Sequence, residues 1–154
     1  MKRKLWSPVA LSAAMVASSA TASASDEKPL TCLGGRRAGL VRGHFTGTIV
    51  CSRKDASFVL VGRTTESNFY VYDYRYKFRP TGGNVKHGGQ KIVLFRNDVY
   101  VGQYALSPPP YVTVTVSGSY VSLQTAGSSK VELDLTRKPP GHMLFDGEVE
   151  KFTR

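Results

Sequence analysis

The sequence predicts an all-β fold: a single small antiparallel domain of about eight or nine strands, with an up-and-down barrel favoured over a two-sheet sandwich. Three observations predict it. After Ala24 no stretch sustains helical periodicity; short runs rich in Val, Tyr, Phe and Thr alternate with clusters of Gly, Ser, Asn and Pro. The connections between those runs are short and mostly of hairpin type. Neighbouring hairpins make a meander, and a meander closes most simply into a barrel.

Residues 1–24 have the layout of a secretory signal peptide. Lys2, Arg3 and Lys4 form a positive start, and Leu5 to Ala17 is mostly apolar, interrupted by Ser7, Pro8 and Ser12. Ala22-Ser23-Ala24 then fits the small-x-small rule for cleavage, which leaves 154 − 24 = 130 residues (25–154) as one all-β domain. The apolar stretch falls short of the ~20 residues a membrane-spanning helix needs. Cys32 follows Asp26-Glu27-Lys28 and not an apolar run, which argues against a lipoprotein, and residues 1–24 hold no twin-arginine pair. The expectation is export to the periplasm or cell exterior, without an integral membrane segment.

The mature part keeps two cysteines, Cys32 and Cys51. An oxidising compartment makes a disulfide between them the expected state, with no metal role, since no further Cys or His ligands lie near. The bridge would pin the irregular segment 30–43 onto the first strand, contributing roughly 3 kcal/mol in the chain-entropy model.

Candidate strands run from His44 to Ser52, Ser57 to Arg63, Asn68 to Arg79, Gln90 to Arg96 and Val99 to Leu106. Four more follow: Tyr111 to Ser117, Tyr120 to Gln124, Lys130 to Thr136 and Met143 to Phe152. Asn97-Asp98 reads as a two-residue hairpin turn, and Gly118 and Gly127 mark the next two turns. Pro80 to Gln90 is expected to be a glycine-rich loop around Lys86 and His87. Ser107-Pro108-Pro109-Pro110 is expected to be a stiff crossover between sheet edges.

Residues 43–48 (Gly-His-Phe-Thr-Gly-Thr), followed by Phe58-Val59-Leu60-Val61-Gly62-Arg63, locally resemble the opening strands of avidin-type barrels. That resemblance implies a barrel strand pattern and nothing further. The family's pocket depends on tryptophans, and the only one here is Trp6, inside the signal peptide.

The most informative segment is Asn68 to Arg79. Side chains alternate across a strand, so Tyr70, Tyr72, Tyr74, Tyr76 and Phe78 share one face. Phe69, Val71, Asp73, Arg75, Lys77 and Arg79 share the other, which turns from apolar to charged and must there meet water. An aromatic face suits a sheet core. Several hydroxyls in a row, each needing a partner if buried, also suit a ligand-lined surface. Between Arg75 and Arg96 lie Arg75, Lys77, Arg79, Lys86, Lys91 and Arg96, with His87 and no acidic residue. The candidate ligand-binding residues are therefore Tyr70, Tyr72, Tyr74, Tyr76, Arg75, Lys77, Arg79, Lys86 and His87.

Net charge points the same way. The chain carries +10, and removal of the three signal-peptide cations leaves 10 − 3 = +7. Such a charge attracts anionic partners and argues against an inhibitor of cationic lysozymes. Only His44, His87 and His142 could serve as neutral-pH bases, and none stands in a nucleophile, triad or metal-ligand pattern. Asp134, Asp146 and Glu148 offer carboxylates without a diagnostic spacing. The expected function is a non-catalytic binding module for an anionic envelope component, a glycan or a lipid head group in preference to nucleic acid, with no cofactor. The rival expectations are an assembly protein using a sheet edge and a small hydrolase.

Overall fold

Nine strands form among the described residues, in runs rich in β-branched and aromatic side chains. In the computed structural model, which describes residues 32–47, 49–52, 54–106 and 111–154, they are β1 (Ala56–Arg63), β2 (Tyr70–Phe78), β3 (His87–Arg96), β4 (Val99–Leu106) and β5 (Thr113–Ser117). The rest are β6 (Tyr120–Gln124), β7 (Val131–Asp134), β8 (His142–Phe145) and β9 (Glu148–Thr153). The expected signal peptide, the proline connector and the Cys32 side chain lie outside the described residues.

Two antiparallel sheets result, one of six strands in the order β1-β2-β3-β4-β9-β8 and one of three in the order β5-β6-β7. This corrects the barrel expectation. The meander runs through β1 to β4 and then breaks, because β4 pairs with β9 through Gln103↔Thr153 and Tyr104↔Phe152 and not with β5. With β1 and β8 left as edges, no closed barrel forms among the described strands.

Two expected elements also differ. His44–Ser52 holds no strand among its described residues. Instead a 3-10 turn (Cys32–Gly35) and α1 (Arg37–Arg42) lead into it, and His44 takes φ 60°. The Met143–Phe152 run is two strands and not one, folded at Asp146-Gly147, where both residues take positive φ (52° and 81°). That Asp-Gly pair is the preferred chemistry of a two-residue hairpin turn. Asn97 and Asp98 adopt the same left-handed pair (50° and 60°), as expected from the sequence.

The glycine loop is shorter than expected, because β3 already begins at His87 and takes in Gly88 and Gly89. Gly89 is there for the aromatic across the ladder: it pairs with Tyr76, and a Cβ at this position would strike the Tyr76 ring.

The six-stranded sheet buries part of each face. One face brings Phe69, Val71, Ile92, Leu94, Tyr104 and Leu106 against Val114, Val121, Leu123, Leu133 and Leu135 of the smaller sheet and its flanks. The other face gathers Tyr72, Tyr74, Val93, Phe95 and Tyr100 beneath Leu33, Leu40, Phe45 and Ile49 of the N-terminal segment. The helix lies close on β4 because Gly39 and Gly43 carry no Cβ that would strike the Asp98 and Tyr100 carbonyls. Arg36 pairs with the Asp98 carboxylate, and Arg42 donates to the Asp98 carbonyl at 3.1 Å.

Candidate functional site

Each face of β2 behaves differently along its length, and the site lies where one cover stops. The three-stranded sheet cannot roof all six strands. Beyond Phe69 and Val71, the same face continues into Asp73, Arg75 and Lys77.

Asp73 is buried at 8% exposure, and its carboxylate is fully engaged. Its Oδ1 accepts from Gln90 Nε2 at 2.9 Å, and its Oδ2 accepts from Arg75 Nε at 2.8 Å. Gln90 mimics a strand partner for the chain that enters β5. Its Oε1 accepts from Val112 N–H at 2.8 Å, and its Nε2 donates to the Val112 carbonyl at 2.8 Å. Arg75 adds a bond from its terminal nitrogen to the same carbonyl at 3.1 Å, and its guanidinium stacks 5.1 Å above the Tyr111 ring. The segment beyond the proline connector is thereby tied to β2 and β3, and the Arg75 guanidinium is held in one place.

Beside this clamp opens a cleft of about 200 Å³, lined by Lys54, Asp55, Ala56, Ser57, Arg75, Tyr76, Lys77 and Tyr111. Register explains the convergence: Ser57 stands opposite Arg75 and Ala56 opposite Tyr76, while Lys77 N–H donates to the Asp55 carbonyl at 2.6 Å. Lys86 donates to the Asp55 carboxylate at 2.6 Å, and that ammonium holds the carboxyl below the usual carboxylate range. Both acidic groups here are thus matched by a cation, Asp55 by Lys86 and Asp73 by Arg75. The Lys54 and Lys77 ammonium groups make no ion pair among the described residues.

The sequence candidates divide accordingly. Arg75, Tyr76 and Lys77 line the cleft, and Lys86 joins it through Asp55. Tyr72 and Tyr74 lie in the aromatic core, at 5% and 1% exposure. Tyr72 stacks on Phe58 at 4.6 Å, and the Tyr74 hydroxyl accepts from Val50 N–H at 2.8 Å. Tyr70 is half-buried with the Arg63 guanidinium 5.2 Å from its ring centre. Arg79 and His87 are exposed and do not line the cleft. Reading along the chain missed Lys54, Ser57 and Tyr111. Lys54 and Ser57 arrive from β1 and the turn before it, and Tyr111 from beyond the prolines, so only the fold brings them to β2.

Searches of protein-family models, curated proteins and solved structures find no match to this chain. The chemistry must therefore be read from the residues alone. His44, His87 and His142 are all exposed and stand on separate parts of the fold. Among the described residues no three His, Cys, Asp or Glu side chains gather as metal ligands. No helix among them is long and apolar enough to cross a membrane.

Proposed function

We propose that this is an exported, non-catalytic binding module whose cleft takes one anionic group, a phosphate or carboxylate carried by an envelope glycan or a lipid head group. The observation that carries the reading is the charge inventory of the cleft. Lys54, Arg75 and Lys77 converge on it, its one lining carboxylate is occupied by Lys86, and the Arg75 guanidinium is already fixed by Asp73, Val112 and Tyr111. A held guanidinium loses little freedom on meeting an oxyanion, and it offers planar donors where Lys54 and Lys77 supply mobile charge. The expected Cys32–Cys51 bridge belongs to the same reading. No cysteine is free among the described residues, and Cys51 follows Val50, the residue held by Tyr74.

The test uses the mature protein with two probes: phosphatidylcholine vesicles containing phosphatidylglycerol, and immobilised polygalacturonate. At least one probe should retain the protein at low salt and release it as salt rises. The Lys54→Ala/Lys77→Ala double variant, which spares the Arg75 clamp, should bind about tenfold more weakly. The probe retained identifies the source of the anion. Binding to neither probe, or unchanged binding by the double variant, overturns the proposal.

A second reading rests on Val59 and Leu60, exposed at 56% and 48% on the edge strand β1. A partner strand could pair there, and oligomers that grow with concentration and ignore salt would favour it.

A further inference from the structure

The two sheets meet along two seams, and they close differently. At the first, a Cβ on Gly62 of β1 would sit 2.8 Å from that of Val116 on β5, and Thr65 N–H donates to the Gly118 carbonyl at 3.1 Å. At the second stand the outer strands β7 and β8, which are not paired to each other although Leu133, Met143 and Phe145 enter one core. A cleft of about 420 Å³ opens there, with Ser128, Ser129 and Val131 on one bank and Phe145, Asp146 and Gly147 on the other.

Strand β8 is the unguarded edge. Phe152 N–H donates to the Gly141 carbonyl at 2.9 Å, so by alternation Met143 and Phe145 also turn their backbone groups toward β9. His142 and Leu144 turn theirs away, toward the free edge. Natural edges are blunted by charge, proline or a bulge. β1 has its bulge between Leu60 and Gly62, and β7 carries Glu132 and Asp134, whereas His142–Phe145 holds no bulge, proline, lysine or carboxylate. Leu144 also faces Val149 across the hairpin, the two being 64% and 61% exposed.

Charge is arranged along this edge. Asp146 follows the end of β8, while Arg137 and Lys138 precede its start and line a second cleft, of about 530 Å³. None of the three enters an ion pair among the described residues. Asp134 shares the second cleft, but its carboxylate is engaged by Thr136, whose N–H it accepts at 2.7 Å. A strand antiparallel to β8 runs from the Phe145 end to the His142 end. It brings its amino-terminal side to Asp146 and its carboxyl-terminal side to Arg137 and Lys138, so opposite charges meet at both ends.

We propose that β8 is a docking edge for a short extended peptide with a cationic amino-terminal side and an anionic carboxyl-terminal side. The peptide adds as an antiparallel strand, bonds to the outward groups of His142 and Leu144, and covers the Leu144 side chain. One of its side chains enters the cleft between Val131 and Phe145. None of these residues lines the anion cleft beside Arg75, so this inference and the proposed function stand or fall separately.

The test titrates isotope-labelled mature protein with the peptide Lys-Val-Thr-Val-Glu and follows amide signals by NMR. Saturable shifts should centre on His142 and Leu144, and exchange of the Leu144 amide should slow several-fold. The same peptide N-methylated at every internal residue should not bind. Asp146→Asn, which keeps an Asn-Gly turn suited to the hairpin, should weaken binding several-fold. Shifts confined to Lys54, Arg75 and Lys77, no shifts at all, equal binding of the N-methylated peptide, or unchanged affinity in Asp146→Asn would each overturn the proposal.

Discussion

The two faces of the six-stranded sheet are each buried in part, but they are closed by different means. The Phe69–Val71 face meets a second sheet, so its cover is itself a hydrogen-bonded β-structure of Val and Leu. The Tyr72–Tyr74 face meets a short helix and an irregular strap, so its cover has little secondary structure of its own. Aromatics compensate on this side. Phe58, Tyr72, Tyr74, Tyr76, Phe95, Phe45 and Tyr100 contact one another in a run of stacked and edge-on rings. The two roofs should therefore fail separately, the aliphatic one with the whole fold and the aromatic one locally.

Leu94→Ala should have the largest effect, about 2–5 kcal/mol, because a fully buried leucine is removed from between two sheets that cannot collapse around the gap. Chemical denaturation should show one cooperative transition at a lower midpoint. Next in size, Cys32→Ser/Cys51→Ser should cost roughly 3 kcal/mol if the bridge closes this loop. It should also speed amide exchange across 45–52 before it does so in β6 or β7. Equal acceleration in both regions would mean that the roofs are not independent.

Gln90→Ala should cost about 1–3 kcal/mol, since it strands Asp73 Oδ1 and the Val112 N–H in the interior and leaves the Val112 carbonyl to Arg75 alone. Anion binding should weaken with it, because Arg75 loses the Val112 position it bonds to. A smaller effect, roughly 1 kcal/mol, is expected for Tyr74→Phe, which leaves Val50 N–H without its acceptor.

Alkali sharpens the contrast further. Burial raises the Tyr74, Tyr76 and Tyr104 phenols and pushes Tyr100 up to about 12 from 10.0. A raised folded pKa gives stability that is complete below the unfolded value and lost as pH climbs through the folded one. Stability should therefore fall from about pH 10 toward pH 12. Lys91 opposes this weakly, because its lowered pKa is a penalty that fades as pH approaches 10.5. Tyr74, Tyr76 and Tyr100 all belong to the aromatic side, so near-UV ellipticity should fade before the far-UV strand signal.

Much of this was legible along the chain because strand alternation is local. The partition of Tyr70 to Phe78 between two faces follows from period-2 geometry alone, as does the turn at Asn97-Asp98. What escaped is what depends on distant partners. Whether β4 pairs with β5 or β9 is decided by how the chain returns after the prolines, and nothing local to Val99–Leu106 encodes it. Asp73 was expected to meet water with the rest of its face. It is buried instead because Gln90 and Arg75, from two strands, satisfy its oxygens. The cleft was half visible as a run of cations on β2. Lys54, Ser57 and Tyr111 reach it only through the β1 register and the Gln90–Val112 clamp.

Between its two roofs the sheet leaves a charged stretch uncovered, and the proposed anion site lies there. The most direct measurement is amide and side-chain NMR of the mature protein titrated with inorganic phosphate and with galacturonate at low salt. Saturable shifts should centre on Lys54, Ser57, Arg75, Lys77 and Tyr111 and leave Tyr72 and Val93 in place. Shifts centred on Arg37 and Arg42 of the helix, or none at the cleft with either anion, would contradict it.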